Sequence, residues 1–198
     1  MFYECWILSA IGLLVVAALF GKKTRNSPLG ILMDDRERYS LNHLQVVMWT
    51  ILILSTWLGI FISSGFNHQV LTIPQQLLVL MGISLGSATL TGAVKSSKDA
   101  PGSGARPVIK RKLLLSDGAT KNMPPSLRQV ITEEEGDQAD QTVSVTKFQN
   151  LIFTFVAGFT YIVLTYKVKA FPALPQEVIW LIGISHAGYI GGKIPNKQ

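Results

Sequence analysis

Five nearly charge-free apolar stretches divide this 198-residue chain, at about 2–20, 41–63, 74–94, 147–166 and 175–193. Each is close to the roughly 20 residues that an α-helix needs to cross about 30 Å of hydrocarbon. A chain with that pattern has few options, because a segment in lipid must satisfy its backbone hydrogen bonds within itself. The expected fold class is therefore an all-α integral membrane protein with about five transmembrane helices. The composition agrees, with 48% hydrophobic residues, 15% charged residues and a positive mean hydropathy of +0.33.

The charge is segregated as membrane topology requires. All but two of the 18 Lys and Arg fall on one side if segments 21–40 and 95–146 are cytoplasmic; the exceptions are Lys167 and Lys169. The positive-inside rule then puts the N-terminus outside and the C-terminus in the cytoplasm. The net charge of +6 is read as topogenic loop charge rather than as a nucleic-acid surface. The first stretch lacks the basic leader of a signal peptide and is followed at once by Lys22, Lys23 and Arg25, so a retained helix is expected. Trp6, Trp49, Trp57 and Trp180, with Tyr39 and Tyr166, fall toward span ends as an aromatic belt does.

The chain also repeats itself. Residues 40–50, SLNHLQVVMWT, match 144–154, SVTKFQNLIFT, and residues 73–88, IPQQLLVLMGISLGSA, match 174–189, LPQEVIWLIGISHAGY. The last four helices thus read as a parallel tandem duplication of a helical hairpin, each copy starting in the cytoplasm. Inverted repeats are excluded by that orientation. The expected organisation is an N-terminal helix (1–21), a first hairpin (40–94), a flexible cytoplasmic loop (95–143) and a second hairpin (144–198). Within the loop, Ser126 opens a short helix toward Glu135.

Repeated residues have assignable roles. Ser40 and Ser144 suit helix N-caps, and Pro74 and Pro175 suit the first turns of the returning helices. Gln45 and Gln149, one turn further in, are expected to meet across a pseudo-twofold axis or to bond within their own hairpins. His43 and Lys147 are expected to snorkel to the interface. Gly82 and Gly86, matching Gly183 and Ala187, make small-residue stripes for close helix approach, joined by Ser84 and Ser185.

The pattern SLxxxQxxxWT followed by GIS and then YxGxK (Tyr189, Gly191, Lys193), with the lead-in SPLGILMDDRERYSL, resembles a group of uncharacterised prokaryotic inner-membrane proteins. The resemblance covers most of the chain outside the first helix and the middle loop. It implies a bacterial cytoplasmic membrane and no particular activity. The first copy carries Ala88 and Gly92 where the motif has Tyr and Lys.

Chemistry-bearing constellations are scarce. His186 is the mid-membrane ionisable residue and reads either as a pH-sensing pore or cofactor-facing group or as a neutral histidine bonded to a neighbouring helix. Ser84 and Ser185 read as a polar path or, more simply, as packing. Glu177 complements a helix dipole. The run Ile109–Lys112 fits anionic lipid or a solvated turn equally. PGSGARP lacks the Lys-Ser/Thr of a phosphate loop, and Glu133 to Asp140 miss calcium-loop spacing. Three histidines and one cysteine in unrelated places make no catalytic or metal set. No enzyme and no cofactor is expected.

The sequence thus points to a non-enzymatic membrane subunit that assembles through small-residue faces into a homo-oligomer or larger complex, an ion-conducting pore being one form of it. A membrane anchor whose loop, basic before residue 113 and acidic after 132, recruits a cytoplasmic protein is the alternative; a small-solute transporter is a third. The lipid bilayer is the one obligatory partner, and nucleic acid is not expected.

Overall fold

The computed structural model describes residues 1–67, 72–100, 103, 106 and 108–194. The described residues form five α-helices: α1 (Phe2–Arg25), α2 (Leu41–Ser63), α3 (Gln75–Asp99), α4 (Val145–Val168) and α5 (Gln176–Gly191). Short 3-10 turns at Gly30–Leu32 and Leu127–Val130 precede α2 and α4. Four helices, α1 to α4, are long and apolar enough to cross a membrane. The fifth has 16 residues, about 24 Å at 1.5 Å per residue, which is short of the hydrocarbon thickness.

Helices α2 to α5 close into a bundle. α2 packs on α3 and α4, α5 packs on α3 and α4, and α1 lies outside along α2. The α1–α2 crossing is tight because Gly59 has no side chain: a Cβ there would come within 2.9 Å of Trp6 Cα and Cβ. The apolar core sits at the end of the bundle away from the connecting 95–144 segment. Trp49, Ile53, Leu77, Leu80, Ala157, Tyr161, Leu174 and Ile182 form it, with Trp49 edge-on to Tyr161 at 6.3 Å. Trp49 is thus a core residue, 1% exposed, rather than a member of an interfacial belt.

Pro74 and Pro175 occupy the caps immediately before α3 and α5. Residues 68–71 of the α2–α3 link and most of PGSGARP lie outside the described residues. The remainder of the expected flexible loop is folded. β1 (Val108–Ile109), β2 (Lys112–Leu114) and β3 (Thr120–Asn122) make an antiparallel sheet in that order, over a small core of Val108, Leu113, Met123 and Ala139. Four fully or nearly buried apolar side chains give this segment what a disordered one lacks, a hydrophobic reason to order. The IKRK run is the β1–β2 turn: Lys110 and Arg111 both have positive φ, and Arg111 pairs with Glu37 at 2.9 Å. The helix expected from Ser126 is the 3-10 turn alone, its Ser126 hydroxyl accepting from the Arg128 N–H.

Candidate functional site: a polar half-bundle capped by buried ion pairs

Two similar arms lead into α2 and α4. In each, a 3-10 turn is followed by a single antiparallel bridge, Met33 with Tyr39 and Thr132 with Val143. Ser40 and Ser144 take the N-cap positions, but neither side chain caps its helix. Their backbone N–H groups instead donate to Leu32 and Ile131 carbonyls, at 2.9 and 2.8 Å. The bridges hold loops 34–38 and 133–142 over the end of the bundle, and these loops carry the charges.

Glu134 is the hub. Its Oε1 lies 2.7 Å from Lys147 Nζ and 2.9 Å from Lys193 Nζ, and its Oε2 lies 3.0 Å from Lys95 Nζ. Lys95 also pairs with Asp34, whose Oδ1 accepts the N–H groups of Arg36 and Arg38. Arg36 reaches Asp99 at 2.7 Å and Glu135 at 3.6 Å; Arg38 pairs with Asp140. Three of these groups, Arg36, Arg38 and Lys147, are nearly inaccessible, at 2–3% side-chain exposure, while Asp99 and Glu135 at the edge are partly exposed. Burial pushes the Glu134 carboxyl up, but Lys95, Lys147 and Lys193 outweigh it and hold the group well below the usual carboxylate value. Asp34 is likewise lowered, burial opposing and Lys95 prevailing.

These contacts correct two expectations. Lys147 does not snorkel; it is held inside by Glu134 and by the Thr132 and Gln129 carbonyls at 2.7 and 3.3 Å. The acidic run that was read as a capture surface is consumed internally, Glu134, Glu135 and Asp140 each answering a cation of the bundle or of the first arm.

Below the cap, the inner faces of all four bundle helices are polar. α2 contributes Asn42 and Gln45, α3 Ser84, Ser87 and Thr91, α4 Asn150 and Thr154, and α5 Ser185, His186 and Tyr189, all buried. Gln45 Nε2 donates to Asn150 Oδ1 at 2.9 Å and Thr154 Oγ1 at 2.6 Å, and Asn42 meets Ser87. Others have no partner among the described residues: Gln45 Oε1, Asn150 Nδ2, the Ser84 and Ser185 hydroxyls, and both nitrogens of His186. His186 therefore lacks the helix-bonded role that the simpler reading gave it. Large apolar side chains point the other way, with Phe155, Phe159, Leu85 and Ile184 exposed on the bundle surface. The bundle is inside-out in this half, polar within and apolar without.

Gln149 does not meet Gln45; it is exposed. The α2 face Asn42, Gln45, Trp49 would map by the sequence match to 146, 149 and 153, yet α4 buries Lys147, Asn150 and Thr154. A one-residue shift is a rotation of about 100°, so Asn150 takes the place expected of Gln149. The small residues divide in the same way. Ser84 and Ser185 are buried, whereas Gly82, Gly86 and Ala187 are exposed and Gly183 is partly so. A Cβ on Gly82 or Gly86 would meet nothing within 4 Å, and one on Gly183 would touch Ile83 at 3.6 Å. Gly82, Gly86 and Ala187 therefore do not serve packing among the described residues, whereas Gly183 faces Ile83 of α3.

The charged cap was missed in the sequence, although one signal was present. Thr91 and Lys95, and Tyr189 and Lys193, are four residues apart, so each lysine extends a buried helix face by one turn. Lys193 Nζ stands 4.8 Å from the Tyr189 ring centroid, which links the Tyr and Lys of the YxGxK motif directly. No family model, curated protein or solved structure matches the chain.

Proposed function

We propose that the protein is a non-enzymatic, multi-pass subunit of a bacterial cytoplasmic-membrane assembly, whose bundle admits water and small ions from the cytoplasm through its polar half. In this reading the bundle is two tandem copies of one hairpin, with α5 completing a fifth membrane segment, the N-terminus outside and the capped end in the cytoplasm. The observation that carries it is the set of buried polar atoms below the Glu134 cap that have no partner among the described residues. Polar groups in a membrane interior cost several kcal/mol unless something satisfies them, and water entering from the capped end does so. The apolar core of Trp49, Ile53, Leu77, Leu80 and Ile182 is then the seal toward the outside.

The exposed, sterically open stripe of Gly82 and Gly86 is the surface for a second subunit, since small residues let helix backbones approach. The anchor reading is weaker, because the loop's acids are already paired within the chain.

Reconstituted vesicles test the proposal. Replacing Leu80 or Ile182 by Ser breaches the seal and is expected to raise ion flux well above wild type. If both variants fold and remain as tight as protein-free vesicles, the path does not exist.

A further inference from the structure

The IKRK run carries charge that the Glu134 cap does not use. The sheet pairs Ile109 with Lys112 and Leu114 with Thr120. Directly paired residues share a face and side chains alternate along each strand, so Ile109, Lys112 and Leu114 lie on one side of the sheet. Val108 and Leu113 lie on the other, buried with Met123 and Ala139. The first side is bare: Ile109 is 39% exposed and Leu114 51%. Lys112 is exposed there too, as is Lys110 in the turn, and neither has an ion pair among the described residues.

The turn is also tied to the end of α1. Arg111 lies 2.9 Å from Glu37, which lies 3.8 Å from Arg25 in the last turn of that helix. α1 is long and apolar enough to cross a membrane, and its side chains Leu14, Val15, Leu19 and Phe20 are exposed. In the proposed topology Lys22, Lys23 and Arg25 end this helix at the cytoplasmic headgroups, so two ion pairs hold the hairpin beside the same layer. Glu37 is shared by Arg25 and Arg111, which leaves Lys110 and Lys112 without an acid. Two exposed aliphatic side chains beside two such ammonium groups complement an anionic lipid surface, the apolar groups at the acyl boundary and the amines on phosphate. A second copy fits poorly, because a twofold contact of this face with itself sets lysine against lysine.

We propose that the β1–β2 hairpin docks on the anionic lipid surface of the bilayer that holds the protein, through Ile109 and Leu114 and through Lys110 and Lys112. This rests on the membrane topology of the proposed function but not on its water path, so a bundle that conducts nothing would leave it standing.

A fluorophore sensitive to its surroundings, attached to Leu114→Cys in a Cys5→Ser background of the full chain, tests it. The labelled protein is placed in nanodiscs of phosphatidylcholine alone or of equal phosphatidylcholine and phosphatidylglycerol. The label is common to every sample, so its own hydrophobicity cancels. In the mixture its emission is expected to shift to the blue and to be quenched by lipids carrying a nitroxide at the headgroup; in phosphatidylcholine alone it is expected to report water. Lys110→Gln/Lys112→Gln, whose exposed changes leave the fold intact, is expected to lower the ratio of docked to undocked hairpin about thirtyfold, as each surface cation contributes about 1 kcal/mol toward anionic lipid. A label in water in both lipids would overturn the proposal, as would a double variant that keeps the unsubstituted spectrum. Equal shielding in both lipids, the result that contact with a second copy gives, would overturn it as well.

Discussion

Gln45 shows how a single amide ties two hairpins together. It gives both protons to α4, to Asn150 and Thr154, while its own carbonyl oxygen is unpaired among the described residues. Hydrogen bonds in membrane helices average only about 0.6 kcal/mol, so Gln45→Leu is expected to cost about 1–2 kcal/mol, including the acceptors it strands. Asn150→Leu should be non-additive with it, whereas Gln149→Leu, on an exposed position, should be neutral. Thermal denaturation in detergent of the singles and the double measures this; additive costs at 45 and 150 would contradict the contact.

Glu134 carries more. Three ammonium groups surround its carboxylate at 2.7–3.0 Å, and removing one member of a buried ion cluster costs about 3–5 kcal/mol because the rest stay charged and unpaired. Glu134→Gln should therefore be among the most damaging changes outside the apolar core. Its pH dependence has a defined sign. The folded carboxyl has a lowered pKa, so on acidification the unfolded chain binds the proton first. The stabilisation is complete above the ordinary glutamate value of about 4.5 and disappears as pH falls through the lower folded value. Stability measured from pH 7 down to 3 should fall steeply in wild type and less steeply in Glu134→Gln.

Among the elements, the helices were legible and their facing was not. Apolar length located α1 to α4, because crossing a bilayer leaves no alternative to a helix, but α1 and α3 each run about a turn further, through charged residues, than their apolar stretches. The rotation of α4 depends on which neighbours it meets, and the match of 144–154 to 40–50 says nothing of that; Gln149 was misplaced for this reason. The arms and the β1–β3 sheet were read as loop because their core is only Val108, Leu113, Met123 and Ala139, scattered over 32 residues with no period. Buried cations escaped for a related reason. A lysine at a span end reads as topogenic, and only the tertiary fold brings Glu134 from a loop to Lys95, Lys147 and Lys193.

Two glycines separate internal packing from assembly. Gly59→Leu should detach α1 from α2, since even a Cβ there meets Trp6 at 2.9 Å; loss of protection of α1 in hydrogen exchange is the readout. Gly86→Leu has open space around it and should leave protomer stability within about 0.5 kcal/mol while reducing the native mass in membranes. An unchanged mass would remove the small-residue stripe from the account of assembly.

The whole bundle divides in two. One half is polar within and ends in the ion pairs around Glu134; the other is apolar and sealed around Trp49 and Tyr161. The capped end holds the N-termini of α2 and α4, and in the proposed topology, where the positive-inside rule retains the basic segments in the cytoplasm, it is the cytoplasmic end. In the proposed function, water reaches Ser84, Ser185 and His186 from the capped end alone. The chain has a single cysteine, Cys5, so a Cys5→Ser background makes the test direct. Ser84→Cys and Leu80→Cys, one turn apart on the inner face of α3, would each be exposed to a small charged thiol reagent in right-side-out and in inverted membrane vesicles. The account predicts that Ser84→Cys is modified in inverted vesicles only and Leu80→Cys in neither. Protection of both in both orientations, or modification of Ser84→Cys from the outside, would contradict it.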